Sequence, residues 1–361
     1  MSHETFMTRA LLLAERGLFT TAPNPRVGCV IVKDNAIIAE GWHQRAGQAH
    51  AEANALAQLD NQQARGADCY ITLEPCSHTG RTPPCVDALI KSGIKRAFIA
   101  MKDPNPLVSG QGIDKLKQAG IEVIVGVLAQ QAEQLNRGFC QRMRLGRPYV
   151  RSKIAMSLDG RTAMASGESQ WITGSQARQD VQKLRAQSAA ILTGIGTVLT
   201  DDPQLTVRPE GWYPAGQAVR QPLRVVVDSD LKIAVDAKVL NAEAETCIAT
   251  LNSSSDKDLN IIITKPDNDR VDLKQLMRQL AEREINDVMV EAGAVLNGAL
   301  LAAGLIDELI IYMAPKLMGD GGRGLFHLPG LQTMANNIDL NIIDIRAVGN
   351  DWRITALPLY A

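Results

Sequence analysis

The sequence predicts two α/β domains, one after the other, and three observations support this fold class. The chain has 361 residues, and dividing by about 150 residues per domain suggests two domains. Helical and strand-like patterns alternate along both halves of the chain. Between the halves, the segment RMRLGRPYV interrupts the helical pattern with Gly146 and Pro148. We therefore expect one domain over residues 1–146 and a second over residues 147–361.

In the first half, the order of the elements is typical of an α/β sandwich. Two strands around the turn KDN should form a hairpin, whereas helical crossovers should join the later strands. The apolar periodicity predicts helices near 3–17, 50–59, 83–92 and 112–119, and a last helix from about 129. It predicts strands near 27–33, 36–42, 67–73, 95–101 and 121–125.

The second half again mixes strands with helices, which predicts another α/β domain. Helical patterns lie near 175–187, 272–284 and 295–303. The strand-like segments are YVRSKIAMSL, AAILTGI, PLRVVVDS, LNIIITK, DVMVEAG, ELIIYMAP and WRITALPL. ELIIYMAP, at 308–315, is apolar enough to pair across subunits, and we expect a homo-oligomer.

The composition is that of an ordinary globular protein and argues against several functional classes. Hydrophobic residues make up 45% and charged residues 21% of the chain, unlike a disordered or membrane protein. The 38 basic residues nearly balance the 39 acidic ones, so no overall charge attracts nucleic acid or a membrane surface. No apolar run reaches the roughly 18 residues that cross a bilayer, and the N-terminal segment resembles an amphipathic helix, not a signal peptide. We expect a cytoplasmic protein without nucleic-acid or membrane partners.

Two of the six cysteines lie in an unusual setting. Cys29 and Cys69 belong to strand-like runs, where buried structural thiols are expected. Cys76 and Cys85, by contrast, lie among Pro, Gly and His in TLEPCSHTGRTPPC at 72–85. Cys76 follows a predicted strand. Cys85 falls in the first turn of a predicted helix, where the helix dipole favours a thiolate.

These two thiols and His50, in HAEANAL at 50–56, form a candidate zinc site. His50 and Glu52 are two residues apart, so they can face one site only across a helix start. One imidazole and two thiolates leave a fourth tetrahedral position for water, as in catalytic zinc sites, and Glu52 is then the base. This arrangement suits hydrolytic deamination of an amino-substituted heteroaromatic ring.

Two simpler interpretations of the same residues stay open at this point. The four residues could be a helix cap with two ordinary thiols. Alternatively, His78 could complete a purely structural zinc site, which would leave Glu52 without a role.

Glycine-containing turns in the second half are weak signals by themselves. GIGTVL at 194–199 follows a strand but has no third glycine, so it is not a Rossmann fingerprint. EAGAVLNGALL at 291–301 puts Gly293 and Gly298 between a strand and a helix, where backbone N–H groups could receive a phosphate.

The segments NPRVG, HAEANAL and EPCSHTGRTPPC together resemble the deaminase half of the bifunctional riboflavin-biosynthesis deaminase/reductases. In that family eight residues separate the two cysteines, as they do here. The resemblance implies a cytidine-deaminase-like α/β/α sandwich and a 2,5-diaminopyrimidinone substrate with a phosphoribosylamino group, which loses its 2-amino group. It implies that Asn24 holds the base, and that the ribose phosphate is contacted by His43, His78, Arg81, Asp103 and Asn105.

The segments KIAMSLDGRTA, GESQWITG, TGIGTVLTDDPQLTVR and VVVDS resemble the reductase half of the same family, which has a dihydrofolate-reductase-like fold. The resemblance implies that NADPH reduces the ribosylamino group to a ribitylamino group. It places NADP contacts at Ala155, Trp171, Thr197, Asp201, Ser229, Gly293, Ala294, Val295, Leu296, Asn297, Gly298 and Ala299. It places substrate contacts at Ser169, Arg185, Leu205, Arg208 and Glu291; Ala292 stands where the family frequently has glycine.

The leading hypothesis is therefore a two-step enzyme that uses Zn²⁺ in its first domain and NADPH in its second. A nucleic-acid-editing deaminase is the nearest enzymatic alternative, but balanced charge and an aromatic content of only 4% argue against a strand-binding groove. A non-enzymatic nucleotide-sensing module is the other alternative, and it predicts binding without turnover.

Overall fold

The computed structural model describes residues 2–60, 62–78, 84–209, 211–213, 218–253 and 259–360. Two compact units divide the chain, residues 1–146 and 147–361. No helix in the described ranges is both long and apolar enough to span a membrane.

The first unit contains a five-stranded sheet with the order β2-β1-β3-β4-β5. β1 runs antiparallel to β2 and β3, whereas β3, β4 and β5 are parallel. The predicted hairpin is confirmed, with a turn at Asp34 and Asn35, whose φ angles are 51° and 62°. The strands are β1 (Gly28–Lys33), β2 (Ala36–Trp42), β3 (Asp68–Ile71), β4 (Arg96–Ile99) and β5 (Glu122–Val125).

Helices cover both faces of this sheet and make it an α/β/α sandwich. One apolar core contains residues of α1, α5 and α6, and the other contains residues of α2, α3 and α4. The helices are α1 (His3–Glu15), α2 (Ala51–Leu56), α3 (Cys85–Ser92), α4 (Gln111–Gln118), α5 (Ala129–Leu135) and α6 (Arg137–Leu145).

Two glycines allow the hairpin to lie unusually close to the helices. A Cβ atom at Gly28 would lie 1.9 Å from the carbonyl oxygen of Ala10 in α1. A Cβ atom at Gly41 would lie 2.2 Å from the carbonyl oxygen of Ala51, the first residue of α2. No other residue fits at these positions without moving a helix.

The second unit contains a nine-stranded sheet with the order β10-β9-β8-β7-β13-β6-β14-β16-β15. The strands from β10 to β14 are parallel, and β16 and β15 add an antiparallel end. These strands are β6 (Tyr149–Ser157), β7 (Ala190–Gly194), β8 (Leu223–Val227), β9 (Thr246–Thr250), β10 (Ile261–Ile263), β13 (Asp287–Val290), β14 (Glu308–Ala314), β15 (Asp339–Val348) and β16 (Asp351–Leu359).

The other elements of the second unit, within its described residues, are a small separate hairpin, four α-helices and two short 3-10 helices (Lys238–Leu240 and Met334–Asn336). The hairpin consists of β11 (Pro266–Asp267) and β12 (Arg270–Val271). α7 packs against β13 and β14, whereas α9 and α10 contribute to the larger core. The helices are α7 (Ser175–Gln187), α8 (Ile195–Asp201), α9 (Leu273–Glu282) and α10 (Ala294–Ala302).

The sequence patterns do not predict α8, β9, β15 or the short β11–β12 hairpin, and one expectation about a strand is wrong. β14, which corresponds to ELIIYMAP, is an interior strand paired with both β6 and β16. Because both of its edges are hydrogen-bonded within the chain, it is not available to pair across subunits.

A buried ion pair joins two central strands of the larger sheet. The Arg151 Nε on β6 donates to the Glu308 Oε2 on β14 at 2.5 Å, and the two side chains are only 8% and 4% exposed. Because water hardly reaches either group, each charge is compensated mainly by the other.

We expect Glu308→Ala to lower the free energy of unfolding by about 3–5 kcal/mol, because Arg151 would remain as an unpaired buried charge. Urea denaturation of the full chain measures this loss. The control is Glu282→Ala at an exposed position of α9, which should cost less than about 0.5 kcal/mol. A loss in Glu308→Ala as small as that of the control would contradict this assignment.

Candidate zinc centre and cofactor cavity

Three predicted zinc ligands come together at one edge of the first unit. His50 immediately precedes α2, Cys85 is the first residue of α3, and Cys76 follows β3. The Nδ1 atom of His50 lies 3.5 Å from the Cys76 Sγ and 3.3 Å from the Cys85 Sγ. All three donor atoms lie within 4.8 Å of one another.

This donor set fits a zinc ion. Tetrahedral zinc, with ligands at about 2.3 Å for sulfur and about 2.0–2.1 Å for nitrogen, separates sulfur from nitrogen by about 3.5 Å. A hydrogen bond from the Cys85 thiol lowers the pKa of Cys76 to about 4, although burial opposes this shift. The pair therefore favours a thiolate at Cys76 even before a metal binds.

The geometry argues against the two simpler interpretations. Two ordinary thiols and a helix cap would not need to converge with an imidazole on one point. His78 is exposed and does not belong to the cluster that the described residues form. Three ligands leave a fourth position open, as in catalytic zinc sites.

Glu52 lies in the first turn of α2, beside the three ligands, and is 3% exposed. Burial raises the pKa of its carboxyl group above the usual range. Its interaction with the Cys85 thiol places it next to that ligand. A carboxyl group whose pKa is moved towards neutrality can both take up and release a proton.

The contacts of His43 favour a role different from the predicted phosphate contact. His43 is 3% exposed. Its Nδ1 lies 3.1 Å from the Ala49 carbonyl oxygen, and its Nε2 lies 3.0 Å from the Asn24 Nδ2. Because Nδ1–H donates to a carbonyl, Nε2 accepts from the Asn24 amide, so neither nitrogen remains for a phosphate. Burial lowers the pKa of His43, which keeps it neutral. His43 orients Asn24.

Asp103 and Asn105 lie in a turn near the segment that contains the predicted zinc ligand Cys76. The Asp103 Oδ1 accepts from the Asn105 N–H at 2.8 Å, and the Asn105 Oδ1 accepts from the Leu107 N–H at 3.1 Å. These bonds fix the backbone of the turn. His78 is exposed, and the predicted contact Arg81 lies outside the described residues.

A cavity of about 1500 Å³ lies in the second unit, where β6, β7, β8 and β13 end. The carboxyl ends of parallel strands commonly form ligand sites. The cavity lining includes most of the predicted NADP contacts, namely Ala155, Trp171, Thr197, Asp201, Ser229, Gly293, Ala294, Val295, Leu296 and Ala299. It also includes all of the predicted substrate contacts of this unit, namely Ser169, Arg185, Leu205, Arg208 and Glu291.

Asn297 and Gly298 do not line this cavity, contrary to expectation. The Asn297 side chain accepts from the Ser152 hydroxyl at 2.7 Å and donates to the Ala292 carbonyl at 2.7 Å. A Cβ atom at Gly298 would lie 2.1 Å from the His327 carbonyl oxygen. Both residues therefore support the turn that lines the cavity. Ala292 does not adopt a positive φ, so its methyl group introduces no backbone strain.

A buried ion pair and a lysine form the most polar part of the cavity wall. The Arg185 Nε and Nη2 donate to the two Glu291 carboxylate oxygens at 2.5 and 3.0 Å. Burial raises the pKa of Glu291, but the charge and the hydrogen bonds of Arg185 oppose this effect, so that the net shift of the pKa is downward. Arg185 also donates to the Thr206 carbonyl. Its guanidinium group is thus committed to holding Glu291 and the 205–208 segment, which leaves Arg208 as the more available cation.

Lys153, which was not among the predicted site residues, also lines the cavity close to this pair. Burial lowers the pKa of Lys153, and Glu291 partly opposes this shift. A lysine in the middle of a strand whose other residues are buried or half-buried is rare unless it is paired or functional. That pattern was the available signal in YVRSKIAMSL.

Trp171 lies at the rim of the cavity and is 64% exposed. The Arg178 guanidinium lies 4.8 Å from the centroid of its ring. The Trp171 carbonyl oxygen accepts from the Lys316 Nζ at 2.8 Å. An exposed aromatic ring that is held by a cation on one face and by a hydrogen bond to its backbone is suited to packing against a ligand that enters the cavity.

Both units match known protein families. Residues 1–101 match the cytidine and deoxycytidylate deaminase zinc-binding region, and residues 148–354 match the RibD C-terminal domain. The riboflavin biosynthesis protein RibD of Escherichia coli K12 is 52% identical over 361 residues, covering 97% of this chain and 98% of that protein. The RibD protein of Haemophilus influenzae is 49% identical, covering 98% and 96%.

Solved structures agree with this result over the whole chain. An Acinetobacter baumannii RibD structure has a TM-score of 0.93 at 46% identity and covers 99% of each chain. A Thermotoga maritima diaminohydroxyphosphoribosylaminopyrimidine deaminase/5-amino-6-(5-phosphoribosylamino)uracil reductase has a TM-score of 0.88 at 35% identity and covers 99% and 98%. The chain thus belongs to the RibD family and is a bifunctional deaminase and reductase of riboflavin biosynthesis, with Zn²⁺ and NADPH as its cofactors.

Proposed function

We propose that residues 1–146 deaminate 2,5-diamino-6-(5-phosphoribosylamino)pyrimidin-4-one to 5-amino-6-(5-phosphoribosylamino)uracil, and that residues 147–361 then reduce the ribosyl to the ribityl side chain. The convergence of His50, Cys76 and Cys85 beside Glu52 carries the first assignment. The deaminase and reductase activities for which the Thermotoga maritima relative is named support this choice of substrate.

In the deamination, we infer that His50, Cys76 and Cys85 hold Zn²⁺ and that Glu52 moves the proton. Bound Zn²⁺ supplies Lewis acidity, which makes a water molecule nucleophilic near neutral pH. Glu52 accepts the proton of the attacking water and returns it to a ring nitrogen of the base. Asn24, held by His43, leaves its Oδ1 free to accept from an amino group of the base. The Asp103 carboxylate suits the ribose hydroxyl groups better than the phosphate, since it can only accept hydrogen bonds when ionised.

In the reduction, we infer that the cavity of the second unit binds the cofactor and the sugar. NADPH supplies the hydride when it is bound. Reduction at the sugar C1 also opens the ring, so the departing ring oxygen needs a proton. Lys153 is the cavity group best suited to donate it, because burial lowers its pKa and eases proton release. Glu291 holds Lys153 through its charge, and Arg208 is available to the phosphate.

The balanced charge of the chain supports a small-molecule substrate over a nucleic acid. The absence of nucleic-acid and membrane partners and the cytoplasmic location stay predictions. Tight, salt-dependent RNA binding would favour the editing-deaminase alternative. Ligand binding without turnover in either unit would favour the sensing module.

We further propose that the protein is a homo-oligomer that associates through β15. This ten-residue strand lies at the end of the larger sheet, and nine of its residues are exposed. Leu340, Ile342, Ile343 and Ile345 are between 44% and 55% exposed. A long apolar edge strand is a template for pairing with another chain. A second copy of the chain offers the same edge and so forms a two-fold interface.

Glu52→Gln should stop ammonia release while retaining zinc and the reduction of the deaminated substrate, because the amide cannot accept the proton. Lys153→Met should have the opposite effect and slow NADPH oxidation by about 10²-fold or more. A coupled assay that records ammonia and NADPH together tests both variants. Each variant is the control for the other, and full deamination by Glu52→Gln would refute the assigned base.

The stabilisation from the Glu291–Arg185 pair should depend on pH. Because the pKa of Glu291 is lowered from 4.5 in the folded chain, its contribution is present above about pH 4.5 and is lost as the pH falls through the lowered value. Glu291→Gln should therefore destabilise the chain by about 3–5 kcal/mol at pH 7, and by less below pH 4.5. Urea midpoints across this range measure the difference, with Glu282→Gln as the exposed control. A pH-independent difference would contradict the ion-pair assignment.

Ile342→Lys combined with Ile345→Lys should convert the oligomer into monomers of 39.1 kDa. Pairing of β15 from two chains would bring the introduced lysine charges close together in the interface. Light scattering coupled to size-exclusion chromatography measures the mass. Leu317→Lys, at a 76% exposed position outside β15, should leave it unchanged. A monomeric wild-type protein would refute the proposed association.

A further inference from the structure

Glu74 is a buried carboxylate that neither proposed reaction uses. It is 5% exposed and lies two residues before the zinc ligand Cys76. Its Oε2 accepts from the Asp103 N–H at 3.0 Å and from the Gly110 N–H at 2.9 Å. Its Oε1 accepts from the Gly112 N–H at 2.9 Å and from the Ile113 N–H at 3.2 Å.

These four bonds close the loop 103–110 at both ends. Asp103 begins the loop and Gly110 ends it, so one oxygen atom holds the two ends together. The other oxygen accepts from the first turn of α4, where helix N–H groups lack partners within the helix. A carboxylate that accepts several backbone N–H groups makes charge-assisted bonds, which are shorter and stronger than neutral ones.

Further contacts hold the same loop and helix against the segment that contains Cys76. A Cβ atom at Gly112 would lie 2.2 Å from the Pro75 carbonyl oxygen, so the two backbones touch. The Lys115 Nζ of α4 donates to the Ser77 carbonyl oxygen at 2.7 Å. The residues on either side of Cys76 are thus both fixed to α4 or to the turn before it.

We propose that Glu74 is a positioning residue for the deaminase: it sets the distance between the zinc ligand segment and the loop that presents Asp103 and Asn105. This inference rests on the proposed function, in which that loop binds the ribose phosphate part of the substrate. Because each of its oxygens already accepts two backbone N–H groups, we assign Glu74 no direct contact with substrate or metal. Its effect on the reaction passes through the loop, so it should alter substrate binding more than the chemical step.

The experiment compares wild type with Glu74→Gln. One amide oxygen can still accept two of the N–H groups, but the amide NH₂ would face the other two as a donor. We expect the KM of the full substrate to rise by about tenfold or more, with kcat changed by less than about threefold. A truncated substrate, the free base 2,5,6-triaminopyrimidin-4-one, lacks the ribose phosphate, and its KM should be unchanged.

Zinc content per chain and reduction of the deaminated substrate should both match wild type, which shows that the variant is folded and metallated. Glu15→Gln, at an exposed position of α1, is the matched control and should change neither KM. Glu74→Asp keeps the charge on a shorter side chain and should recover part of the lost affinity. Gly112→Ala disturbs the same contact from the side of α4 and should reproduce the KM signature of Glu74→Gln.

Loss of zinc from Glu74→Gln would overturn the inference, because Glu74 would then hold the metal ligands instead of the loop. Equal increases in KM for both substrates, or no increase for either, would also overturn it. A wild-type protein that releases no ammonia would refute the proposed deamination itself. Since that result is read from the wild type alone, the two failures are distinguishable.

Discussion

Parallel strands that end at one edge of a sheet are the constraint on which both sites depend. In the first unit, β3 leads to the segment with Glu74 and Cys76. His50 immediately precedes the helix that follows β2, and Cys85 is the first residue of the helix that follows that segment. In the second unit, β6, β7, β8 and β13 end around the cavity. Each fold thus gathers residues that are far apart in sequence without a dedicated binding element.

The two units use this edge for different electrostatic purposes. The candidate zinc site collects a neutral imidazole and two thiols that become thiolates, and Cys85 lies in the first turn of a helix, where the helix dipole favours negative charge. The cavity of the second unit instead buries a guanidinium–carboxylate pair beside a lysine. That arrangement holds one net positive charge when the lysine is protonated, and we propose that this lysine donates the proton that the sugar oxygen needs. The difference reflects the two reactions, one hydrolytic and the other a hydride transfer.

Much of the fold and of the candidate zinc site could be predicted from the sequence, because local sequence patterns determine them. The alternation of helices and strands, the β1–β2 hairpin and the placement of His50 and Cys85 at helix starts all follow from periodicity and turn residues. The separation of Cys76 and Cys85 by eight residues could be interpreted only through the resemblance to a known family. The roles of His43 and Asn297 could not be predicted, because each depends on a partner that is distant in sequence, Asn24 and Ser152 respectively. Lys153 had a local signal in its strand, but its proximity to Glu291 depends on the fold. β15 was missed since its side chains are mostly exposed and therefore lack a one-sided apolar pattern.

The close approach at Gly41 has a consequence for how functional positions are recognised. Ala51, whose carbonyl oxygen lies against Gly41, stands between the proposed zinc ligand His50 and the proposed base Glu52. The depth at which this ligand and this base enter the domain is thus set by a residue that has no side chain. A survey that ranks positions by reactive chemical groups would pass over Gly41, although any larger residue there would shift the first helical turn that carries the reaction.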